Sequence, residues 1–213
     1  MNILRNKRIL ILAPHTDDGE FGCGGTISSM VESNQDVFYA AFSACTKSLA
    51  PEYPSDTLVT EVKAATQVLG IKKENLILYD YDLRSFNFYR QDILDNILEL
   101  KQEIRPDVVF VPSTNDIHQD HYTISTEAVR AFKFSTILCY ELPWNNFNFH
   151  TTCFVHLRER YVRAKADAVK KYRSQSHRNY ANEDFIYSLA RTRGVQCGQQ
   201  YAEVFEVVRL IIS

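Results

Sequence analysis

Ile9-Leu10-Ile11-Leu12-Ala13-Pro14-His15-Thr16-Asp17-Asp18-Gly19-Glu20-Phe21-Gly22-Cys23-Gly24-Gly25 is the stretch whose reading decides the fold. A short apolar run closed by proline reads as a buried strand, and the polar, glycine-rich residues after it read as a loop entering a helix. One imidazole and two adjacent carboxylates therefore stand at the mouth of a strand. His15 and Asp18 are three residues apart, so a tight turn brings them to one point while Asp17 points elsewhere. That suits a metal held by His15 and Asp18, with Asp17 beside it as a base. The same acidic residues would also serve as plain caps of the next helix. On this stretch alone both readings stand.

A second cluster, Asp116-Ile117-His118-Gln119-Asp120-His121, favours the metal. It too follows an apolar run, Asp107-Val108-Val109-Phe110-Val111-Pro112, and two such clusters at two strand exits are hard to explain as caps. Further strands are expected at 36–43, 75–79 and 136–142, with a last one reaching Ile212. Helices are expected at 20–33, 56–69, 89–104, 123–132, 158–172 and 182–192. Alternation of this kind predicts an α/β fold, Rossmann-like, with a mostly parallel, doubly wound sheet and helices on both faces. In such a sheet the first and fourth strands are neighbours where the winding reverses, and ligands bind outside their carboxyl ends. The topology thus puts His15, Asp17 and Asp18 opposite His118, Asp120 and His121 in one crevice.

The chain has 213 residues, 45% hydrophobic and 23% charged, as expected of one globular domain spanning 1–213. A net charge of −2 argues against nucleic acid or an anionic membrane as partner. Five cysteines, odd in number and without a CxxC pair, fit reduced thiols in the cytoplasm. No secretory leader is read, and no apolar run is long enough to span a membrane. The aromatic stretch Pro143-Trp144-Asn145-Asn146-Phe147-Asn148-Phe149-His150 is open to three readings. It could wall the active site, pack a subunit interface in a homo-oligomer, or cover the core. His150, His156 and His177 have no partner pattern and are read as structural or solvated.

Taken together the motifs resemble the PIG-L/LmbE family of metal-dependent N-deacetylases. The family's His-Pro-Asp-Asp-x-Glu-x-Gly-x-Gly-Gly is met by His15-Thr16-Asp17-Asp18-Gly19-Glu20-Phe21-Gly22-Cys23-Gly24-Gly25, with Thr16 in place of proline. Its later Asp-x-His-x-Asp-His is met by Asp116, His118, Asp120 and His121. Glu61, the Lys165, Ala168, Tyr172, Ser174, Gln175 series and Gly198-x-x-Tyr201-Ala202-Glu203-x-Phe205 also match. Relatives often carry an arginine three positions before that glutamate to contact a polar substrate. This chain has Leu58 there, and Arg84 is the candidate substitute.

Two imidazoles and one carboxylate with an open position describe a hydrolytic zinc site. The expected ligands are His15, Asp18 and His121, with iron(II) as the alternative ion, and Asp17 is the expected general base. As in the family, His118 faces the substrate carbonyl. Protonated, it would stabilise the oxyanion, with Asp120 holding it in that charged form. Activity would then follow a bell-shaped pH profile whose basic limb belongs to His118. Glu20 either orients a ligand histidine or favours the helix N-terminus. The resemblance implies an N-acetylated sugar, or a conjugate of one, as the small-molecule substrate. The rival readings are a metal-dependent phosphoesterase and a non-catalytic Rossmann-like nucleotide-binding module.

Overall fold

The apolar run at residues 9–13 passes through the centre of the molecule as part of β1 (Arg8–His15). In the computed structural model, which describes residues 7–212, Ile9, Ile11 and Ala13 face one apolar cluster and Leu10 and Leu12 face another. An unbroken apolar run is what a strand buried on both faces requires. The remaining elements are α1 (Asp18–Glu32), β2 (Asp36–Ser43), α2 (Thr57–Val68), β3 (Leu76–Leu78) and α3 (Arg90–Ile104). They continue with β4 (Val108–Pro112), α4 (Gln119–Ala131), β5 (Thr136–Tyr140), β6 (Cys153–His156), α5 (Glu159–Val169), α6 (Glu183–Gln196) and β7 (Ala202–Arg209). Residues of α1, α2, α5 and α6 line the first cluster, and residues of α3 and α4 the second.

The seven strands are ordered β3-β2-β1-β4-β5-β7-β6. Those from β1 to β5 run parallel, and β1 lies between β2 and β4, so the winding reverses between β1 and β4 as expected. The far edge differs from the sequence reading. Cys153–His156, read as the lead into a helix, is a strand, and β7 is inserted antiparallel between it and β5. Four residues with one charged-capable end carry too weak an alternation to be recognised without their partner.

Two helix starts also lie earlier than expected. Helix α1 opens at Asp18 rather than residue 20, and α4 opens at Gln119 rather than residue 123. Each motif therefore runs from a strand exit or loop into a helix first turn, with Asp18 opening α1 and Asp120 and His121 in the first turn of α4. Helix α1 kinks at Cys23 (φ −144°). Just beyond the kink, the N–H groups of Gly25 and Thr26 donate to the carboxylate of Glu203 at 3.0 and 2.6 Å. Lys165 closes the buried pair with Glu203 at 2.7 Å. The matched Lys165 and Glu203 are thus parts of the scaffold that fixes α1.

The glycines after the first motif serve packing rather than a ligand. A Cβ on Gly22 would stand 2.6 Å from Cγ of Tyr140, and closer to the ring edge. That ring cannot easily retreat, because its hydroxyl donates to the carbonyl of Leu12 at 3.0 Å. Gly22→Ala is therefore expected to lower stability by about 1–3 kcal/mol, the usual cost of overpacking. The midpoint of urea unfolding measures it; an unchanged midpoint would show that α1 can lift away from β5 freely.

Candidate functional site

The turn from β1 into α1 does what the three-residue spacing requires. Asp18 folds its carboxylate back so that Oδ2 accepts the His15 backbone N–H at 2.9 Å. The same oxygen lies 3.1 Å from His15 Nδ1 and 3.2 Å from His121 Nε2. Those two ring nitrogens are themselves 3.1 Å apart. Three donor atoms from β1, α1 and α4 thus form a nearly equilateral triangle, across 106 residues of chain.

The outer nitrogens of the two rings are also held. His121 Nδ1 is 2.8 Å from Asp116 Oδ2, and His15 Nε2 is 3.1 Å from Asp120 Oδ2. A carboxylate accepts only, so each outer nitrogen carries a proton, and in the neutral ring each inner nitrogen presents a lone pair. Three lone pairs aimed at one point repel one another unless a cation or a proton lies among them. Tetrahedral zinc with bonds of about 2.0–2.1 Å separates its donors by about 3.4 Å, close to the spacing here. The residues therefore fit a divalent cation. His118 brings a ring nitrogen within 4.8 Å of those of His15 and His121, so a set of three imidazoles is the competing arrangement. The tighter triangle through Asp18 is the better match to metal geometry.

The electrostatics follow from this crowding. Burial pulls the His121 pKa down, but the carboxylates of Asp18 and Asp116 outweigh it and raise it to about 10. Asp18 is pushed the other way by the two histidines, far below the usual carboxylate range despite its burial. Burial, helped by the charge of Asp18, lifts Asp17 to about 6. Glu20 goes higher still, to about 8, because burial outweighs the hydrogen bonds from the hydroxyls of Tyr39 and Tyr172, which pull it down. Its carboxyl does not reach the histidine ligands, so it anchors β2 and the 172 region to the motif loop.

Asp120 needs a correction. Its carboxylate does not hold His118. It accepts from the backbone N–H of Arg84 at 2.6 Å and of Phe86 at 3.2 Å, as well as meeting His15. The contact with His118 is through the main chain: Asp120 N donates to His118 Nδ1 at 3.2 Å, making His118 the N-cap of α4. Burial and the two neighbouring histidines depress the His118 pKa to about 4, so the ring is neutral near pH 7. With Nδ1 accepting, the proton of the neutral ring is on Nε2.

These residues open onto a cavity of about 270 Å³. His15, Asp17, Asp18, His118 and His121 line it, together with Leu58, Arg84, Trp144, Asn145, Gln175, Arg178 and Tyr180. Arg84 reaches the rim with an exposed side chain, and its left-handed backbone (φ 64°) presents its N–H to Asp120. The aromatic stretch divides its labour: Trp144 walls the cavity, while Phe147 is 82% exposed. Sequence reading had Asp116 in its motif but without a role, and the spacing of five residues to His121 was the available signal. Arg178 also lines the cavity, and nothing along the chain marks it.

None of the five cysteines forms a disulfide, and no described helix is long and apolar enough to cross a membrane. Among curated proteins, an uncharacterized deacetylase of Escherichia coli (strain K12), YaiS, is 27% identical over 176 residues, 80% of this chain and 92% of that one. The diacetylchitobiose deacetylase of Thermococcus kodakarensis is 26% identical over 138 residues, 61% of this chain and 50% of that one. The solved N,N'-diacetylchitobiose deacetylase of Pyrococcus horikoshii shares the fold with a TM-score of 0.82 at 22% identity, covering 98% of this chain and 86% of that one. Residues 10–132 match the family described as PIG-L, GlcNAc-PI de-N-acetylase. That span runs from β1 through α4 and contains both histidine–aspartate motifs, so the chain belongs to the PIG-L family.

Proposed function

We propose that this protein is a metal-dependent N-deacetylase whose single domain hydrolyses the acetamide of an amino sugar or amino-sugar conjugate. Zinc is the proposed ion, with iron(II) the alternative, and His15, Asp18 and His121 are the proposed ligands. The observation that carries the reading is the triangle of His15 Nδ1, Asp18 Oδ2 and His121 Nε2, with edges of 3.1–3.2 Å and both outer ring nitrogens held by carboxylates. Membership of the PIG-L family and the deacetylase names of the relatives support the reaction and the sugar. The undisulfided cysteines support the cytoplasm as its place of action.

A divalent cation bound there supplies Lewis acidity, making water acidic near neutral pH and polarising a carbonyl. The chain supplies the rest. Asp17 takes the proton from the attacking water as its oxygen bonds the acetyl carbon. His118 donates its Nε2–H to the carbonyl oxygen as it becomes an oxyanion, acting as a neutral donor rather than as a cation. As the C–N bond breaks, Asp17 returns the proton to the amine nitrogen, leaving acetate and a free amine. Asp116 and Asp120 keep the two ligand rings in the required tautomer, a role whose loss typically costs 10–100-fold in metal affinity. Arg84 stands at the rim to meet a polar substituent.

Purified protein loaded with zinc or iron(II) is expected to release free amine from N-acetylated sugars and to stop when a chelator removes the ion. Failure to act on any N-acetylated sugar with the site fully loaded would sink this reading. The pH profile carries a second expectation. Asp17 must be ionised to act as base, so kcat/KM rises with pH through its pKa. That value is about 6 without a cation, and a nearby positive charge lowers it, so the acid limb falls at or below about pH 6. His118, neutral above about pH 4, contributes no basic limb. Whatever basic limb the enzyme has should survive in His118→Ala, which would lose it if the ring worked as a cation.

A further inference from the structure

Arg178 is a half-buried arginine on the cavity wall. Its guanidinium donates a hydrogen bond to the hydroxyl of Tyr180, a neutral partner, and lies 5.7 Å from the centroid of that ring. Asp17 and Asp18 feel its charge, but it forms an ion pair with neither, nor with any other carboxylate among the described residues. Most of its five N–H donors are therefore unused beside an open cavity. A guanidinium presents a planar fork that matches carboxylate and phosphate oxygens two at a time.

The wall around it is built to stay in place. Tyr180 stacks on Trp144 with ring centroids 3.8 Å apart and planes 7° from parallel, and Phe21 meets both rings edge-on. One turn back, Gln175 lines the same cavity and is 4% exposed. Its orientation is set by proton counting. Ser174 Oγ–H donates to Glu61 Oε2 at 2.6 Å, so Ser174 Oγ can only accept from Gln175 Nε2 at 3.3 Å. That leaves Gln175 Oε1 as an acceptor without a partner. Buried polar atoms rarely go unpaired, and one on a cavity wall is suited to a ligand donor. The wall thus offers one charged donor and one neutral acceptor, the complement of a sugar that carries both hydroxyls and an anionic group. A cavity of about 270 Å³ is near the lower end for ligand sites and suits one ring.

We propose that Arg178, Gln175 and the Trp144–Tyr180 stack form a subsite selecting an N-acetylated sugar with a phosphate or carboxylate substituent, Arg178 binding the anion and Gln175 a ring hydroxyl. This rests on the deacetylase reading for the acetamide end of the substrate, but its test reads binding and stands apart from turnover. Trp144 is the chain's single tryptophan, so its fluorescence reports on this wall directly.

Zinc-loaded protein would be titrated with N-acetylglucosamine, its 1-phosphate, its 6-phosphate and N-acetylmuramic acid, following Trp144 fluorescence and, separately, amine release. At least one anionic sugar is expected to bind tenfold or more tightly than neutral N-acetylglucosamine. The phosphate and carboxylate arms identify which anion is selected. Arg178→Gln should weaken that sugar by about 10- to 100-fold and abolish its advantage, while leaving the neutral sugar nearly unchanged. Arg178→Lys should restore part of the preference, having the charge without the fork. Gln175→Met, of similar volume, should weaken charged and neutral sugars alike. A merely structural role for Arg178 would lower all affinities together and could not erase a ratio. No preference for any anionic sugar, no binding of any of the four, or a preference that survives Arg178→Gln overturns the proposal. Arg178-dependent binding without amine release would instead defeat the deacetylase reading and leave the subsite standing.

Discussion

Asp17→Asn is expected to keep its metal and lose turnover by about 10²–10⁴-fold, the usual scale for a general base. Asparagine has the shape of aspartate and can still hydrogen-bond water, but it cannot take a proton. Asp17 is also the N-cap of α1, where its side chain makes no capping hydrogen bond, so the exchange leaves the helix start intact. Asp18→Asn tests the opposite assignment at the next position. Asp18 Oδ2 touches both ring nitrogens of the triangle and the His15 backbone N–H. A neutral amide there is a far poorer ligand, so the metal itself should be lost. If the two carboxylates were only caps, the variants would behave alike. Metal analysis and turnover on both purified proteins decide it. Equal metal loss in the two, or near-normal turnover in Asp17→Asn, would end the division of labour.

His121→Ala is expected to purify without stoichiometric metal and without measurable turnover. It removes one of three donors and strands Asp116, whose carboxylate lies 2.8 Å from the lost ring. His118→Ala should keep the metal and lose about 10²–10³-fold in turnover, as for removal of one oxyanion donor. The pair separates the two ligand sets that the histidine cluster allows, because a set of three imidazoles would require both variants to lose the ion. Full metal occupancy in His121→Ala would exclude the triangle. Metal loss in His118→Ala would move His118 into the ligand set and leave the oxyanion without its proposed donor.

Much of this site was legible along the chain. The period of two in Ile9-Leu10-Ile11-Leu12-Ala13 is hidden by full burial, yet its unbroken apolarity, closed by Pro14, already marks a central strand. The spacing of His15 and Asp18 is local, so a single turn realises it. The adjacency of β1 and β4 follows from the alternation of elements and the doubly wound order, and it brings the two motifs together. The starts of α1 and α4 are hidden in the sequence because motif residues chosen for chemistry obscure the apolar period by which a helix is recognised.

The sequence by itself thus determined the fold class, the central strand and the common crevice for His15, Asp17, Asp18, His118 and His121, since each depends on residues close together or on the order of elements. Only the tertiary structure decided which histidine Asp120 serves, that Asp116 holds His121, and that Arg178 and Gln175 reach the cavity beside Trp144. It also decided that Gly22 makes room for Tyr140 rather than for a ligand. These pairings join residues as much as 118 positions apart, from Gly22 to Tyr140. Their partners are chosen by side-chain packing and by the direction of a hydrogen bond in a low-dielectric interior, and neither quantity has a period along the chain.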